Sequence, residues 1–444
     1  MKVRLLRLWD ALQSSYWVLP AIMTLAAAGA AQAVLALDWA LLDRGVAVVS
    51  WLHGAGEPEG ARALLSTLAG SMITVAGVTF SILIVALSLA SSQFGPRLLR
   101  GFLRDRGNQA VLGTFIATFV YCLLVLRSVP MEPGTARIPQ LAVILALFLG
   151  LASVAVLIYF IHHAAASIQA SRVIEVAGSE LDRAIRQTFP ARDEEEGVWS
   201  AVEVDEILPD GFADRASTVP AGDSGYVQEI DSGRLLGLAR ERDLVIQLLH
   251  GRGSFVVEGR PLARVTGSLD DDARETLAGA LILAPARGST RDVERGVSQL
   301  AEVAVRALSP GVNDPFTAGQ ALRRLGQSLA ALGDRKLPTP AFHDDDGQLR
   351  LVIPTPAVAQ LLDLAFDQAR HYGRSDPHVP LELLEVMTSV GVRALHPGLR
   401  QALLRHAVRV RDVSLDALQH ESDRRRLETA FDAAEAVLSG GRPA

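Results

Sequence analysis

The sequence predicts a membrane α-helical domain with four transmembrane helices, followed by a cytoplasmic α+β region. In that region a small β-barrel-like part precedes a helical C-terminal part. Three observations predict this. Hydrophobic residues make up 49% of the 444, and their excess lies almost wholly before residue 165. Short strand-like runs divided by glycine turns follow, and then apolar residues recur at helical spacing. The expected domains are 1–165, transmembrane; 166–217, a helix and acidic linker; 218–268, a small β domain; 269–438, a helical cytoplasmic domain; and 439–444, a disordered tail.

About 20 apolar residues are needed to cross a bilayer core. Four runs meet that requirement: about 16–37, 61–92, 109–126 and 138–161. A cleaved secretory leader is the rival reading of the first run. The charged start and Ala31-Gln32-Ala33 permit it, but the apolar run continues past that point. Basic residues set the orientation. Lys2, Arg4 and Arg7 precede the first run, and Arg97, Arg100, Arg104 and Arg106 follow the second. Asp38, Asp43, Glu57 and Glu59 outweigh Arg44 and Arg62 between them. This pattern predicts both termini in the cytoplasm, in a bacterial inner membrane.

The second run is the unusual one. Its 32 residues would extend about 48 Å as a helix, against a hydrocarbon core of about 30 Å. Thr67, Ser71, Thr74, Val78, Ser81, Val85, Ser88 and Ser92 recur at alternating steps of four and three, which places them on one helical face. Gly70 and Gly77 flank that face. Two readings stand side by side. Small residues and hydroxyls suit close helix packing, and Ser and Thr can satisfy themselves on their own helix carbonyls. They also suit a water-lined path among several copies of the helix. Pro96 predicts a helix break at Gly95. Phe94 is a candidate constriction, and Arg97, Arg100 and Arg104 are a candidate cytoplasmic mouth, with topology and anionic lipid as their alternative roles.

The segment TVAGVTFSILIVALSLASSQFGPRLLRGFLRDRGNQ, with GYVQEID, GSFVVEGRPLARV and RALSPGVNDPFTA further on, resembles the bacterial predicted membrane proteins grouped as domain of unknown function 2254. The resemblance runs over nearly the whole chain. It implies a multi-pass membrane protein with a large soluble tail, and it carries no activity or catalytic residue across.

His162 and His163 close the fourth run, and a helical stretch continues to about Thr188. The acidic linker ARDEEEG follows. Tyr226–Asp231, Leu244–Leu249, Ser254–Val257 and Pro261–Ala263 read as strands, with a short helix at Leu235–Arg242. The glycine-turn pattern resembles the barrel-sandwich fold of lipoyl and biotinyl carriers. Of the 43 basic residues only Lys2 and Lys336 are lysines, so the modified lysine those carriers need is missing. Asp292–Leu308 is amphipathic, Ser309-Pro310-Gly311 stops it, and Asp314-Pro315 starts the next helix as N-cap and first residue. Ser309, Pro310, Asn313 and Asp314 thus form a helix–turn–helix motif, read as a structural corner or as a binding site at the second helix's N-terminus. Helices are also expected at Ala357–His371, Leu381–Ala394, Leu399–Gln419 and Glu421–Leu438.

Composition excludes several classes. The lone Cys122 rules out an intramolecular disulfide and a multi-cysteine metal site. Phosphate-binding glycine loops, HExxH and a nucleophile elbow are missing. His343-Asp344-Asp345-Asp346 and the histidines flanking Arg374–Pro377, His371 and His378, read as polar loops. No enzyme activity, metal, cofactor or nucleic-acid partner is therefore expected. The expected partners are the lipid bilayer, further copies of the chain and inorganic ions. An oligomeric channel-like protein is the leading expectation, and a membrane-anchored sensor or scaffold is its alternative.

Overall fold

The computed structural model describes residues 16–44, 58–95, 105–130, 138–167, 169–194, 198, 204–288, 291–395 and 397–440. It divides into two compact units, 1–173 and 174–444.

The first unit holds helices α1 (Val18–Asp43), α2 (Pro58–Phe94), α3 (Arg106–Ser128) and α4 (Gln140–Ser167). Each is long and apolar enough to cross a membrane. The expected spans are found, with longer ends. The central helix is α3, which packs against the other three. It buries Val111, Leu112, Phe115, Tyr121, Cys122 and Val125. Several polar groups inside this unit find partners within it, as a waterless core favours. Tyr121 donates to the Ala142 carbonyl at 3.1 Å, and the Thr118 and Ser153 hydroxyls lie 3.3 Å apart.

The first span was expected to end before Asp38, yet α1 runs through it. The Asp38 carboxylate accepts from the backbone N–H groups of Leu141 and Ala142, at 3.0 and 2.9 Å. A carboxylate from one helix therefore caps the next but two, satisfying donors that the first turn of α4 leaves open. At the other end of the unit, Asp105 caps α3 through Gly107 N–H and meets His163 Nε2 at 2.7 Å.

The second unit opens with α5 (Ala170–Thr188), whose buried face is Ile174, Ala177, Gly178, Leu181, Ala184 and Ile185. Two short helices follow, α6 (Val204–Ile207) and α7 (Phe212–Arg215). The next elements are β1 (Ala216–Pro220), β2 (Gly225–Ile230), α8 (Ser232–Glu241), β3 (Ile246–Leu248), β4 (Phe255–Val256), β5 (Pro261–Thr266), α9 (Asp271–Gly279) and β6 (Leu281–Ala284). After α10 (Val293–Ala307) and α11 (Pro315–Gly333) come β7 (Ala341–His343) and β8 (Leu349–Val352). Helices α12 (Val358–Gly373), α13 (Val379–Arg393), α14 (Pro397–Ala417) and α15 (Glu421–Leu438) complete the chain.

The expected barrel is not formed. The strands make two open sheets, one ordered β1-β5-β3-β8-β7 and one ordered β4-β2-β6. The reason is a long-range pairing. Strand β8 comes from residues placed by sequence among the helices, and it pairs in parallel with β3, Ile246 opposite Leu351. That pairing extends the larger sheet outward instead of letting it close. Strand β6 likewise lies beyond the expected β region and pairs with β2. Leu235, Ile246, Val265, Leu277 and Leu351 are wholly buried between these sheets and helices α8 and α9.

His343–Asp346 is the turn of the β7–β8 hairpin, not a loop between helices. Asp344 accepts from Gln348 N–H at 2.8 Å and from Arg350 Nε at 2.6 Å. The Arg350 guanidinium, helped by the backbone donors, holds this carboxyl below the usual carboxylate range.

Helix α5 is tied to α11 by one arginine. Arg324 is 8% exposed and donates to Glu175 at 3.1 Å, to Asp182 at 2.7 Å and to Ser328 at 2.8 Å. Gly178 makes room for it, since a Cβ there would lie 2.2 Å from Arg324 Cζ. Removing the cation would strand Asp182 in a largely dry contact. Arg324→Ala is expected to cost about 3 kcal/mol, read as a lower thermal midpoint of detergent-solubilised protein. Arg324→Lys should recover little, because the planar fork is lost.

Candidate functional site

Two regions bring chemistry together, one in each unit. In the membrane unit it is the long helix α2. Its covered face is Ala61, Leu65, Ala69, Met72, Ala76, Thr79, Leu83 and Ala86, all buried against the chain's own helices. The predicted stripe lies roughly half a turn away at about 100° per residue. Thr67, Ser71, Thr74, Ser81 and Ser88 are all exposed, as are Val78 and Val85 between them. A Cβ built on Gly70 or Gly77 would meet nothing within 4 Å. No other part of the described chain covers this face.

The hydroxyls are only partly self-satisfied. Thr67 donates to the Ala63 carbonyl at 2.7 Å and Thr74 to that of Gly70 at 2.8 Å. The helix ends at Phe94, and Gly95 follows at φ 100, the break that Pro96 predicted. The side chains of Ser92 and Phe94, and Arg97, Arg100 and Arg104 altogether, lie outside the described residues.

In the second unit a cleft of about 240 Å³ opens between the turn Gly251–Ser254, the start of α10, the end of α5 and the segment Pro354–Pro356. Gly253 makes the turn possible. Its φ is +84, and a Cβ there would lie 2.6 Å from Arg287 Nη2 and 2.7 Å from Asp292 Oδ2. The Arg287 guanidinium is clamped by Asp292 and reaches Glu294 at 2.7 Å. Burial opposes its charge, but those carboxylates outweigh burial and keep its pKa above the ordinary value. Asp292 also caps α10 through Arg295 N–H at 2.9 Å. Around this rigid corner the cleft presents Ser232, Ser254, Thr339 and Thr355 hydroxyls, the Gln187 and Gln360 amides, and Phe342. Such a lining offers donors and acceptors to a small polar ligand without a dominant charge.

The quoted segments build this corner together. Gly253 N–H donates to Val227 O at 2.8 Å and Val227 N–H to Ser254 O at 2.9 Å. Arg252 meets Glu229 at 3.3 Å, and the Tyr226 and Phe255 rings stack edge to face at 4.9 Å. Sequence reading listed these stretches as strands but missed the cleft. Its far wall, Pro354–Pro356 and Gln360, is about a hundred residues away in the chain and carries no local signal.

A family profile described as predicted membrane protein (DUF2254) matches residues 13–389. The chain belongs to that family. Uncharacterized proteins Rv1290c of Mycobacterium tuberculosis and Mb1321c of Mycobacterium bovis are each 32% identical to this DUF2254 protein over 422 residues. The match covers 94% of this chain and 79% of theirs. No solved structure matches it.

The last quoted segment of this DUF2254 chain, RALSPGVNDPFTA, is a capped corner. Asp314 accepts from Thr317 N–H at 3.0 Å and Thr317 Oγ1 at 2.6 Å, and its own N–H donates to Ala307 O at 2.7 Å. Asn313 sits at φ 48, a left-handed conformation that asparagine tolerates. Ser309 donates to Arg306 O at 2.7 Å, and Pro310 follows it as the chain turns away from α10. The start of α11 is thus occupied by its own carboxylate. Val312 and Phe316 point outward from the corner, 52% and 76% exposed. His371 and His378 bind no common centre; His371 Nδ1 lies 3.3 Å from Arg374, and His378 lies against Phe316.

Two expectations follow. Gly253→Ala should lower stability by about 1–3 kcal/mol through left-handed strain and collision with the Arg287–Asp292 pair, read as a lower thermal midpoint. Asp314→Ala should cost about 1 kcal/mol at neutral pH. The Thr317 hydroxyl and amide hold the Asp314 carboxyl below its ordinary 3.8. A depressed folded value means stability present above 3.8 and lost as pH falls through the folded value. The deficit of Asp314→Ala should therefore shrink in acid, as midpoints taken across pH will show.

Proposed function

We propose that this protein is an oligomeric, channel-like protein of the bacterial inner membrane, with both termini in the cytoplasm. Copies of α2 surround a pore, and the soluble unit assembles or gates it. One observation carries this reading: the stripe of hydroxyls and glycines lies opposite the face that α2 packs on its own chain. A single copy leaves Ser71, Ser81 and Ser88 on that uncovered face. Around an axis the same hydroxyls would line water, and small residues would let the helices approach. Inorganic ions are the cargo in this reading, and no catalytic step is part of it.

Ser81→Leu is the direct test in purified protein reconstituted into planar bilayers. Unitary currents in the wild type and altered or abolished currents in an equally assembled variant support a pore. Equal currents in the two proteins count against α2 as its lining.

The second reading is a membrane-anchored sensor or scaffold, and the cleft beside Gly253 favours it. There the hydroxyl face serves only helix packing. Binding of a small polar ligand to the full chain, abolished by Ser254→Trp with assembly unchanged, would support the sensor. A silent bilayer together with that binding would select it over the channel.

A further inference from the structure

Helices α12 and α14 meet at a cluster with no local signature in the sequence. Asp363 and Asp367 stand one turn apart on α12, on the same face. Opposite them on α14 is His406, which is 0% exposed. Its Nε2 lies 3.0 Å from Asp363 Oδ1 and its Nδ1 lies 3.8 Å from Asp367 Oδ1. Neither contact is aligned as a hydrogen bond, and both ring nitrogens lack a hydrogen-bond partner. The Phe366 ring packs against the imidazole at 5.8 Å. One ligand atom from each of Asp363, Asp367 and His406 can be chosen so that all three lie within 4.8 Å of one another.

A fully buried imidazole with two unmet nitrogens is costly, and such a group calls for a water or an ion. Two carboxylates at i and i+4 repel each other unless a cation lies between them. A cation between the carboxylates answers the second demand and takes one of the two ring nitrogens, leaving the other to a water. We propose that Asp363, Asp367 and His406 bind a divalent transition cation of the zinc class. One imidazole nitrogen and two carboxylate oxygens are a donor set that such ions accept, with water free to complete the coordination. Nitrogen and oxygen ligands about 2.0–2.1 Å from a tetrahedral metal lie about 3.3 Å apart, close to the 3.0 Å between His406 Nε2 and Asp363 Oδ1. The opposing charges are Arg370, 3.1 Å from Asp367, and Arg409, 4.0 Å from it. Arg405 and Arg409 also act electrostatically on the imidazole. Arg370 and Arg409 engage Asp367, whereas among the described residues Asp363 is approached by His406. The two carboxylates are partly exposed, 44% and 35%, which gives an ion a way in.

The site is independent of the pore, so its test uses no ion flux. Full-length, untagged protein in detergent is stripped with a chelator and titrated with Zn²⁺ against a chromogenic competitor. Cobalt substitution then gives an absorption spectrum of the bound ion. The expected result is one tight equivalent in the wild type, weakened at least ~10-fold in Asp363→Asn and in His406→Gln, with an altered cobalt spectrum in each. Asp363→Asn guards against a His406 variant that fails to fold, because Asp363 is partly exposed. Failure of the wild type to bind, or binding unchanged in a folded Asp363→Asn, overturns the proposal and leaves His406 as an ion-paired core residue.

Discussion

The membrane unit depends on one helix having two unlike sides. Helix α2 spans 37 residues, or roughly 55 Å at about 1.5 Å per residue. Only the alanine, leucine and methionine side is used to hold the unit together, where small residues let α3 and α4 come close. The opposite side keeps hydroxyls and glycines that add nothing to this packing. A hydrocarbon solvent gives no reward for hydroxyls beyond those bonded to their own helix. The reading of this DUF2254 protein as an assembly rests on that asymmetry.

The second unit is held by a different device. Arginines with buried or half-buried heads join separate elements, some of them distant in the chain. Arg324 joins α5 to α11, Arg287 joins the end of β6 to α10, and Arg350 joins the β7–β8 hairpin to Asp243. Each guanidinium meets at least two acceptors, a geometry that a lysine could not supply. A chain almost free of lysine thus has its polar joints built from forks. The two glycine positions that matter most, Gly178 and Gly253, are those where a fork passes too close for any side chain.

What could be read from sequence follows the range of the interaction responsible. The four spans, the break at Gly95, the cap at Asp314 and helices α10 to α15 depend on neighbours in the chain, and periodicity or a turn residue reveals them. The same holds for the hydroxyl stripe. What sequence could not show was its relation to the packed face, since that needs the partners of Ala69 and Ala76. The barrel was wrongly expected because β8 is supplied from residues 349–352 across three intervening helices, α9, α10 and α11. Asp38 was read as the end of a span because its partners, the Leu141 and Ala142 N–H groups, are about a hundred residues away. The Asp363–Asp367–His406 cluster escaped for the same reason: an i,i+4 acidic pair is ordinary on a helix, and nothing local links it to His406.

The measurement that bears most directly on the central claim is the water accessibility of the stripe in a lipid membrane. With Cys122 replaced by alanine, a single cysteine is placed at Ser81 and, separately, at Phe80, which is also exposed but lies off the stripe beside the Trp17 ring. A charged, membrane-impermeant thiol reagent is then applied to the reconstituted protein. The account predicts rapid reaction at position 81 and none at position 80. Equal inertness at both positions, in protein shown to be assembled, would mean that the hydroxyl face meets helix or lipid rather than water, and the pore would have to be abandoned.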